Sequence, residues 1–328
     1  MNILLISPKL YSYSRLIINH LEKKNHKVFW IYDSIVLNNF EKMVGILFKK
    51  YGKIKFDKYF RKEIKKYASE NIDKIVLIFG DKYFNKNNIE LLKSTFPGKK
   101  TIFYSWDSVI NYPNIKNYYL DFDVAYSFDK NDCKNYNMIF RPLFYSDETD
   151  YSFVEIKNDI VGLMSYSYKK KESLKKILFA IPKKIKINLY LYMPNKLIFI
   201  LNKYIFHREA FNFIEKKYFK FNSMSVKDGK ELFASAKAIL DSPLLGQNGL
   251  TIRTFEALKM KKKLITTNAS IRSYDFYNEM NIFVVEDENS VVPDIFLETP
   301  FDEKYAISDY YSFNTFMSTI FELERSDT

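Results

Sequence analysis

The stretch Lys237–Asn268 reads KAILDSPLLGQNGLTIRTFEALKMKKKLITTN, and its punctuation decides the fold of the second half of the chain. Lys237–Asp241 (KAILD) is a short apolar run with the pattern of a buried strand. A loop holding Gly246 and Gly249 comes next, then an amphipathic helix is predicted over Leu250–Met260 and a second strand over Lys263–Thr267 (KLITT). Strand, glycine loop, helix and strand make a βαβ unit, whose strands run parallel. Glycine lets another group approach the backbone where a β-carbon would obstruct it. The first turn of a helix leaves N–H groups without intrahelical partners and aims the positive end of its dipole at the loop, so an anion such as phosphate is favoured there. Thr251 and Thr254 add hydroxyl donors, and Arg253 adds a planar fork of N–H groups suited to phosphate oxygens. Glu256, one turn on, is placed to accept hydrogen bonds from ribose hydroxyls. Leu250, Phe255 and Leu258 are core positions of an ordinary amphipathic helix, a reading that leaves the polar set Thr251, Arg253 and Thr254 unexplained.

The same alternation extends in both directions. Asp159–Ser165 (DIVGLMS), Lys186–Tyr192 (KINLYLY) and Asn281–Glu286 (NIFVVE) read as strands, and Lys169–Ala180 as a basic helix. Earlier, Asn2–Ser7, Lys27–Tyr32 (KVFWIY), Lys74–Gly80 (KIVLIFG), Thr101–Trp106 (TIFYSW) and Val124–Phe128 (VAYSF) are strand-like, with helices expected over Leu10–Lys24 and Phe56–Tyr67. Asn137–Tyr145 is expected to close this half, with Pro142 placing it at an edge. The acidic, polar segment Ser146–Asn158 reads as a linker. The expected division is therefore residues 1–150, an α/β domain; 151–307, a second α/β domain; and 308–328, a helix packing back on the first. The most apolar segment, Leu189–Phe206, is broken by Pro194, Asn195 and Lys196 and is too short to span a bilayer. It reads either as a buried strand followed by a core helix or as an interfacial patch that docks on a membrane.

Composition narrows the class. At 328 residues, with 47% apolar and 27% charged side chains, the chain is globular and long enough for two cores. One cysteine, Cys133, excludes a disulfide framework and a Cys-rich metal site and suits a reducing cytoplasm. The apolar start, Met1–Ser7, is cut short by Pro8 and Lys9, so no secretory signal is expected. A net charge of +12 is read either as AT-rich codon usage, which enriches Lys, Asn, Ile, Tyr and Phe, or as a basic surface that attracts anionic lipid or a phosphorylated ligand. No zinc-finger, RNP or basic-zipper pattern supports a nucleic-acid role. His20 falls on an apolar helix face, His26 in a lysine-rich turn and His207 before Arg208-Glu209; HExxH and CxxC patterns are absent from the sequence.

The central run resembles the donor-binding segment of GT-B glycosyltransferases, particularly those that build bacterial surface polysaccharide and lipooligosaccharide. Gly249-Leu250, then Glu256-Ala257-Leu258, then the strand Leu264–Thr267 stand where that group carries "GL", "EAL" and a strand ending in Thr or Ser. Tyr274–Asn278 (YDFYN) and Asn281–Val285 look like features of the same group, and Trp106-Asp107-Ser108 and Phe140-Arg141-Pro142 resemble it more loosely. The resemblance implies two Rossmann-like domains with parallel sheets facing each other across a cleft. It also implies a metal-independent hexosyltransferase that moves a sugar from a nucleotide-diphosphate donor to a saccharide or lipid-linked saccharide, with no cofactor. Taken with the helix-start donors read above, the expected donor-binding set is Gln247, Asn248, Gly249, Leu250, Thr251, Arg253, Thr254 and Glu256. This sequence departs from the group in lacking an acid just before Gly249; the amides of Gln247 or Asn248 are left to make the sugar-hydroxyl contacts.

Glycosyl transfer needs stabilised charge on the departing diphosphate, a task for helix-start N–H groups and Arg253. An inverting enzyme also needs a base for the acceptor hydroxyl, expected on the first domain at a strand's carboxyl end. Asp107, after TIFYSW, is the first candidate, with Trp106 and Asn111 beside it and a following helix dipole to hold its carboxylate. Asp81, after KIVLIFG, is the second. Both are also read as plain turn residues. Lys9, Arg141 and Ser242 are candidate cleft contacts. The expected partners are a nucleotide-diphosphate sugar, a saccharide or lipid-linked acceptor and an anionic membrane surface, with the protein cytoplasmic or peripheral on the inner face of the cytoplasmic membrane. Competing readings are a metal-dependent GT-A enzyme using Asp121-Phe122-Asp123, which lies at the wrong end of its strand; a sugar-nucleotide epimerase or phosphorylase on the same fold; and a non-catalytic binding protein for polysaccharide assembly.

Overall fold

The computed structural model describes residues 1–8, 12–35, 41, 48, 50–79, 83–146 and 154–323. The chain divides into two units, Met1–Pro142 with Met317–Thr328, and Leu143–Phe316. Each unit has its own apolar core around one six-stranded sheet.

In the first unit the strands are β1 (Asn2–Ser7), β2 (Lys27–Tyr32), β3 (Lys74–Ile78), β4 (Lys100–Ser105), β5 (Val124–Ser127) and β6 (Ile139–Phe140), in the order β2-β1-β3-β4-β5-β6. Every pairing is parallel. Strands covered on both faces carry unbroken apolar runs, which is why KIVLI of β3 is buried at all five positions. Between strands, helices Ser12–Lys23, Tyr51–Tyr67, Lys86–Thr95 and Lys130–Tyr136 supply the crossovers. Helix Tyr51–Tyr67 buries Gly52, Phe56, Phe60 and Ile64, spaced so that one stripe meets the sheet. The segment Asn137–Tyr145 forms much less strand than expected. Only Ile139–Phe140 pairs with β5, and Tyr145 instead bridges Ser312 within the second unit.

The second sheet comprises β7 (Asn158–Ser165), β8 (Ile187–Tyr192), β9 (Phe219–Lys220), β10 (Ala236–Asp241), β11 (Lys263–Thr266) and β12 (Ile282–Val284), ordered β12-β11-β10-β7-β8-β9 and again wholly parallel. Numbered within the unit this is 6-5-4-1-2-3, the doubly wound Rossmann order. Close packing is visible at Gly162 in β7, where an added β-carbon would lie 2.8 Å from Leu189 Cδ2 of the neighbouring strand. The strand β9 and the helix Val226–Ala234 carry no expectation from the sequence. The final stretch, expected as one helix, is a 3-10 turn at Asp309–Tyr311 followed by helix Phe313–Phe321, with Ser312 Oγ accepting from Thr315 N at 3.2 Å to start it.

At the chain's end Glu322 meets two lysines of the first sheet. Lys74 Nζ, almost enclosed, donates to Glu322 Oε2 at 2.8 Å and to the Phe321 carbonyl at 2.7 Å, and Lys100 pairs with the same carboxylate. No helix of the described residues is long and apolar enough to cross a membrane.

Candidate functional site

In an open parallel sheet, the loops leaving two adjacent strands diverge where the strand order reverses, opening a crevice beyond the carboxyl ends. In the second sheet that point lies between β7 and β10. It is met by the start of helix Ile252–Lys259, which comes after β10 through the glycine loop.

Asp241 ends β10 with its side chain 2% exposed. Its Oδ2 accepts from Thr251 Oγ1 at 2.8 Å and from Thr254 Oγ1 at 3.2 Å. The two hydroxyls expected to face an anion are therefore directed at a buried carboxylate, whose enclosure requires donors. Thr251 consequently gives its side chain to Asp241 rather than to the helix, and the first turn has no side-chain cap. Arg253, half-buried on that turn, donates from Nε to the Leu163 carbonyl of β7 at 2.6 Å. One of the five guanidinium donors thus spans the reversal point and fixes the helix start against β7.

The loop before the helix is held by amides and hydroxyls. Gly246 has φ +77°, a conformation open to glycine at no steric cost. Gln247 Nε2 donates to the Gly249 carbonyl at 3.0 Å, and Asn248 Nδ2 reaches the Gly246 carbonyl at 3.5 Å. From the loop after β11, Asn268 Nδ2 donates to the carbonyls of Asn248 at 3.2 Å and Gly249 at 3.3 Å, and Ser270 Oγ donates to Asn248 as well. Gly249 and Leu250 are buried, and Glu256 is enclosed one turn into the helix. Ser242, a candidate cleft contact, is 1% exposed; its Oγ lies 2.6 Å from Ser173 Oγ, which lies 2.9 Å from Thr267 Oγ1. This hydroxyl chain joins the ends of β10 and β11 to helix Lys171–Ala180. Asp241, Asn268, Ser270 and Ser173 were not singled out by sequence reasoning. The signal available was small polar residues immediately after predicted strands.

Near the carboxyl end of β7 a cavity of about 350 Å³ is lined by Tyr168, Lys171, His207, Arg208, Glu209 and Ala210, among others. His207 stacks on Tyr168 with ring centres 4.2 Å apart and planes 12° from parallel, and Lys171 Nζ pairs with Glu209 at 2.8 Å.

In the first sheet the order reverses between β1 and β3. Ser7 ends β1 and its hydroxyl accepts from Trp30 Nε1 at 2.9 Å. Phe79, directly after β3, has φ +80°, a strained setting for a side chain with a β-carbon. Its ring stacks with Trp106 at 6.2 Å and meets Tyr112 edge-on at 4.9 Å. Lys9 and Asp81 lie outside the described residues. Asp107 is half-buried two residues past β4, its carbonyl accepting from Ser105 Oγ at 2.6 Å. The chain then turns, with Asn111 N donating to the Ser108 carbonyl at 2.9 Å, and enters a 3-10 helix at Pro113–Asn117. The α-helix dipole expected to hold Asp107 is thus replaced by a single turn, because Pro113 starts only a short 3-10 element.

That turn is fixed by two acids the sequence did not flag. Ser108 Oγ donates to Asp129, and Val109 N donates to Asp132 Oδ2 at 2.8 Å. Asp129 also caps helix Lys130–Tyr136, accepting from Asn131 N at 2.9 Å. Burial, with a smaller contribution from the Asp129 charge, pushes the Asp132 carboxyl up to about 6 against the Val109 hydrogen bond. Arg141, a candidate cleft contact, is 1% exposed and therefore enclosed rather than presented to solvent; its backbone accepts from Tyr104 Oη at 3.1 Å. Burial pushes the Cys133 thiol up to about 12, which keeps it protonated at neutral pH. Asp123, from the Asp-x-Asp pattern, accepts from Thr101 N and Oγ1 at 2.7 and 2.8 Å just before β5, a structural use at the strand's amino end. Among the described residues, no group of three or more His, Cys, Asp or Glu side chains is placed to hold a metal ion.

No protein-family model matches the chain, and no curated protein matches it in sequence. Solved structures match it along its whole length. UDP-GlcNAc 2-epimerase from Neisseria meningitidis, bound to UDP-GlcNAc, aligns with a TM-score of 0.53 at 10% identity over 98% of this chain and 99% of that one. Another UDP-N-acetylglucosamine 2-epimerase aligns at 0.50 with 8% identity over 99% and 98%. The fold is GT-B. A UDP-glucosyltransferase from Polygonum tinctorium is also similar, at a TM-score of 0.44 and 8% identity over 99% of this chain and 93% of that one. The two sheets with their reversed strand orders are the two Rossmann-like halves of that GT-B architecture.

Proposed function

We propose that the chain is a glycosyltransferase that takes a sugar from a nucleoside-diphosphate donor and passes it to a saccharide or lipid-linked saccharide in bacterial surface-polysaccharide synthesis. The observation that carries the reading is the placement of the Gly249 loop, the uncapped start of helix Ile252–Lys259 and Arg253 at the strand-order reversal of the second sheet. Backbone N–H groups, a helix dipole and a guanidinium converge there, and together they favour a diphosphate and stabilise the charge it gains on leaving. Thr251 and Thr254 serve this site by fixing the helix start on Asp241, and Gln247, Asn248 and Asn268 by shaping the loop. Asp107 is proposed as the base for the acceptor hydroxyl in the first unit, on the turn fixed by Asp129 and Asp132. No metal or cofactor is invoked, and the acceptor is proposed to be presented at the inner face of the cytoplasmic membrane.

A second reading is favoured by the two full-length likenesses at TM-scores of 0.53 and 0.50, both to UDP-GlcNAc 2-epimerases. In that case the nucleotide-sugar site is the same and the sugar is rearranged rather than transferred.

A melting-temperature panel of UDP-, GDP-, CMP- and TDP-linked sugars tests the shared premise, because a ligand that binds only the folded state stabilises it by mass action. At least one is expected to raise the melting temperature, and Arg253→Ala is expected to weaken that binder by about tenfold or more. No shift with any of them would remove the nucleotide-sugar site. Incubating the binder without acceptor then separates the readings: a transferase returns it unchanged or slowly hydrolysed, whereas an epimerase alters the sugar.

A further inference from the structure

We infer that the helix Lys196–Phe206 is an in-plane anchor for an anionic lipid bilayer. It comprises six α-helical residues, Lys196–Leu201, continued by five π-helical ones, Asn202–Phe206. Phe199, 2% exposed, is the buried attachment, with its ring 5.8, 4.8 and 5.5 Å from those of Phe211, Phe219 and Phe221. On the outer side Leu197, Ile205 and Phe206 are 62%, 61% and 65% exposed, and Ile198, Ile200 and Tyr204 are exposed as well. A core helix would turn these side chains inward. Here the wider π turn sets Tyr204, Ile205 and Phe206 outward in succession, the composition of an interfacial helix end.

Charge identifies the occupant. From Lys196 to Arg208 the segment carries Lys196, Lys203 and Arg208 and no acid. Arg208 is stapled to the helix by its Nε bond to the Tyr204 carbonyl at 2.5 Å. Glu209, the next acid along the chain, pairs with Lys171, which also approaches Glu172 at 3.4 Å. Lys169 and Lys170 extend the positive rim in the turn beside Tyr168, on which His207 stacks. An apolar centre with a basic rim complements acyl chains beneath anionic headgroups. A second copy placed symmetrically on this face would bring the same three cations against themselves. The helix is about 16 Å long at 1.5 Å per residue, about half of a hydrocarbon core, so it lies in the surface rather than across it.

The inference rests on the proposed lipid-linked acceptor for its purpose, and its test needs neither donor nor acceptor. Full-length protein is floated with vesicles of phosphatidylcholine alone and of phosphatidylcholine mixed with phosphatidylglycerol. Binding is expected to the mixed vesicles, to weaken with salt, and to fall about tenfold or more in an Ile205→Ser, Phe206→Ser double variant. Each of Lys196→Ala and Lys203→Ala is expected to lower it about fivefold on the anionic vesicles alone. The double variant should keep the parent melting temperature because both side chains are exposed. Absence of binding to either vesicle, or a dimer in sedimentation that the double variant abolishes, overturns the anchor. Vesicle binding without any donor-dependent stabilisation would sink the transferase reading and leave the anchor standing; the converse result would do the opposite.

Discussion

Asp241 ends β10 and Asp132 sits in the first turn of helix Lys130–Tyr136, and both are enclosed carboxylates. Asp241 receives two hydroxyl donors at one oxygen. Asp132 receives the Val109 N–H but also faces the charge of Asp129, and burial lifts its carboxyl to about 6. The folded chain then holds a proton that the unfolded chain releases near the ordinary carboxyl range, so stability falls as pH rises through that interval to about 6. We expect Asp132→Asn to raise the melting temperature at about pH 7.5 and to lose most of that advantage at about pH 4, read from parallel melts. An equal shift at both pH values would show that the carboxyl charge is not its source. At this scale the sequence was partly legible. Arg253 and the threonines stood out by type, but the partners of Arg253 and Asp132 lie 90 and 23 residues away, a distance no local pattern spans.

Elements were read best where burial was complete. Central strands such as β1, β3 and β4 announce themselves as unbroken apolar runs because both of their faces are covered. The edge strands β6 and β9 have two residues each, too few to show any period. The sequence of Lys196–Phe206 fits a core helix or a surface one, because apolar content alone does not say which side faces water. The glycine loop shows how neighbouring elements finish what one begins. Its two carbonyls at Asn248 and Gly249 are fixed from the loop after β11 by Asn268. Asn268→Ala is expected to cost about 1–2 kcal/mol of stability. It is also expected to weaken nucleotide-sugar binding about tenfold, measured by titration of the binder from the melting panel. Lost stability with full affinity would confine Asn268 to folding.

On the scale of the whole molecule, strand order is the property the sequence could not supply, since it depends on which of several parallel neighbours each strand chooses. Once observed, it located both reversal points. The other molecular feature is the use of the last residues by the first unit. Partial burial raises the Glu322 carboxyl, and bonds from Lys100 and Lys74 more than offset that and hold it below the ordinary range. Its contribution is therefore present above the unfolded-state value and fades as pH falls through the lowered one. Glu322→Ala leaves the enclosed Lys74 ammonium with one fewer acceptor and is expected to cost about 1–3 kcal/mol at neutral pH, measured by denaturant unfolding. A cost that persists undiminished in acid would point to lost packing instead.

The polypeptide leaves its first unit after Pro142 and rejoins it at Met317. A gene fragment stopping at the first crossing would therefore encode a sheet whose Lys74 has lost both the Phe321 carbonyl and the Glu322 carboxylate. Anyone wishing to study that half in isolation should splice the tail back on through a short artificial connection, so that the excised piece carries its own closing latch.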